Sequence, residues 1–232
     1  MIHTVPETGS TNADLAARLR DGEALEEGFW LVADRQTGGR GRQGRAWEDG
    51  AGNFMGSTFV RPASGDPPPP TLAFAAGLAV LEAVRPYAAD ARLKWPNDVL
   101  LDGAKLAGVL LEAEGDAVVV GIGVNLASAP AIAGRPAIAL PQPVARDDFA
   151  QTLAWRFAEE LDRWRMFGLE ALLMRWSTAA HPLGEVLSVH EPDGSRVAGT
   201  FAGLDGDGAL LLRLAGGAVR AIHAGDVLLE DR

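Results

Sequence analysis

The 232-residue sequence contains no cysteine. Neither a disulfide framework nor a cysteine-based metal site is therefore open to it. It also lacks any apolar run near the roughly 20 residues that a membrane-spanning helix needs, so no membrane partner is expected. Its first fifteen residues, MIHTVPETGSTNADL, lack the basic and apolar regions of a secretory leader. These absences fit a cytoplasmic protein. Positive charge is short as well, with a formal net charge of -10. A general nucleic-acid binder gains affinity by matching many phosphates with Lys and Arg, so nucleic acid is not an expected partner. What remains is a soluble globular composition, long enough for one sizeable core or for a main domain with a small companion.

The pattern along the chain predicts a mixed α+β fold rather than a βαβ series. Asn12 to Arg20 reads as a short amphipathic helix that Ser10, Thr11 or Asn12 can cap. Phe29 to Ala33 and Asn53 to Val60 read as strands, joined by an arginine-rich segment. After the stiff connection ASGDPPPP (63–70), Leu72 to Val84 is apolar nearly all round, which predicts a buried helix. Short β-type runs follow at 91–95, 99–101, 106–113 and 117–122, the last two separated by a turn at 114–116. Residues 129–146, rich in Ala and Pro, are expected to be irregular. Helical spacing returns over 147–179, with Gly168 dividing two helices. From Gly184 the texture becomes short alternating runs broken at 193–194 and 205–208, which predicts a small five-stranded antiparallel barrel. A boundary near residues 181–184 gives two domains, 1–182 and 183–232.

The segment Gly39-Arg-Gly-Arg-Gln-Gly44 matches G-x-G-x-x-G, the dinucleotide fingerprint. That motif needs a helix N-terminus directly after the glycines and an acidic residue about 20 positions on. Here a loop-like stretch (45–52) leads into a strand, and neither requirement is met. Four arginines, Arg35, Arg40, Arg42 and Arg45, fall within eleven residues. Glycines that let backbone close over a ligand, interleaved with guanidinium groups that pair carboxylate or phosphate oxygens, suit a small anionic ligand. Such a loop is expected to be mobile when empty. The alternative is a solvated basic turn. A second cluster is Lys94-Trp-Pro-Asn-Asp98, followed by Lys105-Leu-Ala-Gly108 after a turn at 102–103. Proline fixes its own φ and restricts its predecessor, which presents Asn97 and Asp98 at a defined strand end. The plain alternative there is a hairpin with its tryptophan in the core and its lysines in water. A third element, Gly121-Ile-Gly-Val-Asn125, ends an apolar run with glycines and an amide.

Taken in order, Ser10-Thr11-Asn12, Gln36 with GRGRQGR (39–45) and Trp47, KWPND (94–98), KLAG (105–108) and GIGVN (121–125) resemble the biotin protein ligase family. The match spans the first half of the chain, and the family's members carry a small SH3-like module after the catalytic domain. The resemblance implies an enzyme that activates biotin with Mg²⁺-ATP and passes it to a lysine of a biotin carboxyl carrier domain. It implies biotin contacts from Ser10, Thr11, Asn12, Gln36, Arg40, Gly41, Arg42 and Lys105. ATP contacts are implied for Arg42, Arg45, Trp47, Asn97, Lys105 and Asn125, with Trp47 stacked on adenine. Lys105 and Arg42 are the implied catalytic pair. For Ser10 and Thr11 a simple helix cap competes with the ligand role. No metal site is expected of the protein itself, since His3, His181, His190 and His223 are scattered. A helix-turn-helix domain, which some members carry, is not expected ahead of residue 10, and a homodimer is possible. The competing readings are a lipoate or octanoate enzyme of the same superfamily, a non-catalytic biotin-binding protein, and a nicotinamide-dependent oxidoreductase.

Overall fold

The computed structural model describes residues 1–48, 50–132 and 135–229. Its main unit is a seven-stranded sheet in the order β1-β2-β3-β7-β6-β5-β4. These strands are β1 (Ile2–Val5), β2 (Trp30–Ala33), β3 (Phe54–Val60), β4 (Arg92–Lys94), β5 (Asp98–Leu101), β6 (Ala104–Glu114) and β7 (Ala117–Val124). β1 and β2 run parallel, and every other pairing is antiparallel. The sheet is therefore mixed, as the sequence pattern predicts. The β5–β6 connection turns at Asp102 (φ 51) and Gly103 (φ 76), the left-handed pair that a tight two-residue hairpin requires.

Period-2 alternation gives the sheet two apolar faces with different covers. On one face Trp30, Val32, Phe54, Val120 and Val124 pack beneath α2 (Leu72–Val84) and α3 (Arg146–Ala179). α2 is buried along almost its whole length, as its all-round apolarity requires. α3 carries Phe149, Leu153, Phe157, Leu161 and Trp164 inward, and Phe157 meets Trp30 edge-on at 5.6 Å. Gly168, at φ 73 and ψ -171, breaks the helix. Glu160 on the first half accepts from Arg175 on the second at 2.6 and 2.8 Å, tying the halves across the break.

On the opposite face, Leu31, Phe59, Ala117 and Val119 form a smaller core with Leu15 of α1 (Thr11–Arg20). This core stops partway along the strands. Beyond it the same face carries Ser57, Gly121, Gly108 and Gly123, and the β3–β7–β6 register sets Ser57 opposite Gly121 and Gly108 opposite Gly123. Met55 and Leu110 share this stretch of the face, and the three glycines between them form a recess for side chains that approach from above.

The C-terminal unit is a five-stranded antiparallel sheet, β11-β10-β9-β8-β12. Its strands are β8 (Val186–His190), β9 (Arg196–Leu204), β10 (Leu210–Arg213), β11 (Val219–Ile222) and β12 (Asp226–Leu229). Its inward residues Leu187, Phe201, Leu210 and Val227 join the same apolar cluster as α2 and α3. At Gly208 (φ +88) a Cβ would meet the Phe74 ring at 2.5 Å and Leu173 at 3.4 Å, so the 205–208 turn lies directly on those helices. Among the described residues, no helix is long and apolar enough to cross a membrane.

Candidate active site

The recess is filled from above by side chains that use the glycines' missing Cβ atoms. Ser10 caps α1 by accepting from the Ala13 N–H at 3.4 Å, which fixes the next two residues over the sheet. The Thr11 N–H and hydroxyl donate to Gln36 Oε1 at 2.8 and 3.0 Å. The Thr11 hydroxyl lies 2.7 Å from that of Ser57, and Ser57 donates to Asn12 Oδ1 at 2.6 Å. Asn12 Nδ2 in turn donates to Glu112 at 2.7 Å. Asn12 occupies the space over Gly121, where a Cβ would collide with its amide group. Buried polar groups so interlinked hold one geometry. Thr11, Asn12 and Gln36 thereby join one network through Ser57, with Ser10 serving as the cap.

The GRGRQGR segment folds as a loop closed on itself. The Gly41 N–H donates to the Arg45 carbonyl at 2.7 Å and the Trp47 N–H to the Gly39 carbonyl at 2.9 Å. A single 3-10 turn spans Arg42–Gly44, and no helix follows. The dinucleotide-fold requirement is therefore absent from the geometry as well as from the sequence pattern. At Gly39 a Cβ would sit 2.7 Å from the Trp47 carbonyl oxygen, so only glycine permits this closure. The arginines point to separate partners. Arg42 Nη1 donates to Asn97 Oδ1 at 3.2 Å, and Arg40 lies 3.9 Å from Glu112. Arg45 is ion-paired with Asp226 of β12 and also donates to Gln43 at 2.9 Å.

Trp47 lies against the glycine floor: a Cβ on Gly123 would overlap its six-membered ring. Its indole N–H is buried without a hydrogen-bond partner. Lys105 Nζ is 5.7 Å from the centre of a Trp47 ring, and a Cβ on Gly108 would stand 2.9 Å from that ammonium group. Lys105 also lies 2.6 Å from Asp98 Oδ1, while Lys94 approaches Asp98 Oδ2 at 3.1 Å. Burial pushes the Asp98 carboxyl up, but the two lysines overcome it and hold the group below its ordinary value. Trp95, joined to Pro96 by a cis peptide bond, is buried and donates to the Gly208 carbonyl at 3.0 Å. The KWPND turn thus has its tryptophan in the core, but its lysine is ion-paired rather than solvated.

Asn125 has a different position. Its amide donates to the main-chain carbonyls of Ile138 (3.1 Å) and Lys105 (3.3 Å). It clamps residues 136–138 beside Lys105, whose N–H donates to the Pro136 carbonyl. The sequence reading did not include Ser57, Lys94, Asp98 or Glu112 among the site residues. Asp98 was legible as a polar group at a strand end. Ser57 and Glu112 carry no local signal, because their partners lie 45 and 100 residues away. Among the described residues no cluster of three or more His, Asp or Glu side chains is arranged to hold a metal ion.

Together these residues bring a lysine, an arginine-bearing loop and a partly covered indole onto one glycine-rich face of a mixed sheet. Residues 6–126 match the model of the biotin/lipoate A/B protein ligase family, and residues 189–229 that of the biotin protein ligase C-terminal domain. The chain belongs to the biotin/lipoate A/B protein ligase family. It is 40% identical to a biotin–[acetyl-CoA-carboxylase] ligase of Paracoccus denitrificans, over 89% of this chain and 91% of that protein. It is 37% identical to the enzyme of that name from Mycobacterium tuberculosis, over 98% of this chain and 88% of the relative. Among solved structures it resembles a biotin protein ligase from Aquifex aeolicus in complex with biotin and ATP, with a TM-score of 0.84, 27% identity and 97% of each chain covered.

Proposed function

We propose that this chain is an ATP-dependent biotin protein ligase that acts on a biotin carboxyl carrier domain. The observation that carries the reading is the placement of Lys105 above Gly108, beside Trp47 and paired with Asp98, the residue next to Asn97, which receives Arg42. Biotin's ring suits the Thr11–Gln36–Asn12 network, which offers paired donors and acceptors in a buried setting. Its carboxylate then points toward Lys105. Trp47, with one indole face on the glycine floor, suits an adenine, and Arg42, Arg45 and Asn97 lie on the phosphate side. Residues 1–182 form the catalytic unit in this reading, and residues 183–232 a companion that supports its loops.

Two steps follow. A biotin carboxylate oxygen attacks the α-phosphorus of Mg²⁺-ATP, a P–O bond forms, and pyrophosphate leaves with the electrons of the broken anhydride bond. Two anions must meet for this, and Lys105 and Arg42 neutralise the charge that accumulates, by position and electrostatics rather than covalent chemistry. In the second step the amine of an acceptor lysine attacks the acyl carbon of biotinyl-AMP. AMP leaves with the C–O electron pair, and the amine's proton passes to solvent. The mixed anhydride is sensitive to water, which gives the Gly39–Arg45 loop a covering role.

The test is intact-mass detection of biotin transfer to a carrier domain with Mg²⁺-ATP, using the native chain, Lys105→Ala and Arg42→Gly. Transfer by the native chain that collapses in Lys105→Ala supports the function and the site. Transfer of lipoate or octanoate in place of biotin keeps the family and changes the substrate. Transfer of no acid leaves a binding protein.

A further inference from the structure

Of the 21 basic side chains in this sequence, 19 are arginines and only two are lysines, Lys94 and Lys105. Arginine is the rule elsewhere, so the two positions that keep an ammonium side chain stand out against the chain's own usage. They are also brought together. Both face the single carboxylate of Asp98, at 3.1 and 2.6 Å, one on each oxygen. Asp98 is the most enclosed of the three, with 11% of its side chain exposed, against 19% for Lys94 and 37% for Lys105.

The arrangement has a definite charge balance. A lone Asp98–Lys105 pair would be neutral, and an anion arriving at Lys105 would meet a cation already matched by a carboxylate. With Lys94 on the other oxygen the cluster carries a net positive charge, and the more exposed ammonium is Lys105. Arginine is poorly suited to either position, because its planar fork would engage both carboxylate oxygens at once. A compact ammonium takes one oxygen and leaves the other.

We propose that Lys94 is a positioning residue of the site: by sharing Asp98 with Lys105 it leaves Lys105 with uncompensated charge for the anionic groups of the substrates. The anion role rests on the ligase reading, whereas the sharing of Asp98 does not. The charged and titratable groups around the pair are few. Lys105 faces Asp98 of β5 and the Trp47 ring. Lys94 faces Asp98 and, from the segment after α3, His181 with its neighbour Glu185. Both Lys94 and Arg92 disfavour the charged form of His181.

Because the sequence has only two lysines, amine labelling resolves each one. The native protein, without biotin or ATP, is treated with acetic anhydride between pH 7 and 10, and acetylation of Lys105 is followed by peptide mass spectrometry. In Lys94→Gln, loss of the like charge leaves Lys105 paired to Asp98 alone. Its labelling is expected to be about tenfold slower at pH 8. Lys94→Arg, which keeps the charge, is expected to leave Lys105 labelling closer to the native rate than Lys94→Gln does. If Lys94→Gln does not fold, Asp98→Asn decides: the two ammonium groups then repel, and Lys105 should label several-fold faster at pH 8 than in the native chain. An unchanged Lys105 profile in folded Lys94→Gln, or labelling no faster than native in Asp98→Asn, overturns the proposal. Neither readout depends on biotin transfer, so failure of the ligase assay leaves this result separately interpretable.

Discussion

Gly108 of β6 and Gly123 of β7 are directly opposed across the sheet, on the face that carries the site. A Cβ on the first would press on the Lys105 ammonium, and one on the second would enter the Trp47 ring. Adjacent strands thus supply two bare positions side by side, each occupied from above by a side chain proposed to touch substrate.

Gly123→Ala should therefore displace Trp47 while sparing the fold, since the strand pairing does not depend on that Cβ. Binding of ATP is expected to weaken by about tenfold, or ~1.4 kcal/mol, with biotin binding less affected. Isothermal titration with each ligand checks this. Equal loss for both ligands would remove Trp47 from the nucleotide side.

The Arg45–Asp226 ion pair joins the glycine and arginine loop to the C-terminal sheet. Asp226→Asn should leave that loop less restrained, so tryptic cleavage after Arg40, Arg42 or Arg45 should speed up several-fold in the absence of ligand, while Asp226→Glu stays near native. Biotin with Mg²⁺-ATP should slow cleavage in both variants. Cleavage equally slow in Asp226→Asn would mean that the C-terminal unit does not hold the loop.

Glu160 is 1% exposed and receives Arg163 and Arg175. Arg175→Ala removes the guanidinium that crosses the Gly168 break and leaves the buried carboxylate underpaired. The expected cost is roughly 1.5–3 kcal/mol, the range for hydrogen bonds to charged groups, read as a lower urea midpoint. A change under about 0.5 kcal/mol would place the stability of the break in its apolar contacts instead.

His181 is buried, and burial lowers its pKa against the opposing pull of Glu185. The ring is neutral in the folded chain at pH values where the unfolded chain, with an ordinary value of about 6.5, already binds a proton. Protons therefore favour unfolding, and the contribution of His181 is fully present above about pH 6.5 and is lost as pH falls toward the folded-state value. Thermal unfolding from pH 7.5 down to 5.5 should show a smaller decline in His181→Gln than in the native chain. Parallel declines would assign the acid sensitivity to other groups.

Much of this was legible from residue order alone, because hydrophobic period and turn chemistry are local signals. α2 occupies the stretch its apolar run predicts, Gly168 breaks α3, and the strands after Gly184 form one antiparallel sheet. β1 was missed: four residues at a sheet edge, half exposed, carry no alternation to read. In the site, the motif glycines were visible but their purpose was not, since the absence of a Cβ has meaning only once Trp47 and Lys105 are seen to fill the space. Ser57, Glu112 and Asp226 have the same cause. Each acts through a partner far away in sequence, and nothing in their own neighbourhoods distinguishes them. Asn125 shows the converse, since its amide is engaged by the main chain at Lys105 and Ile138.

The scarcity of lysine has a further consequence if the proposed acyl-adenylate forms. Such a product reacts with any free amine it meets, and the catalyst's own surface is the nearest one. Here 19 of the 21 Lys and Arg side chains are guanidinium groups, which stay protonated and make poor acyl acceptors. The two side-chain amines that exist are both held against a carboxylate. In the proposed reaction the chain would therefore offer the adenylate almost nothing to modify except a partner that brings its own lysine, and discrimination between self and substrate would be partly settled by amino-acid choice.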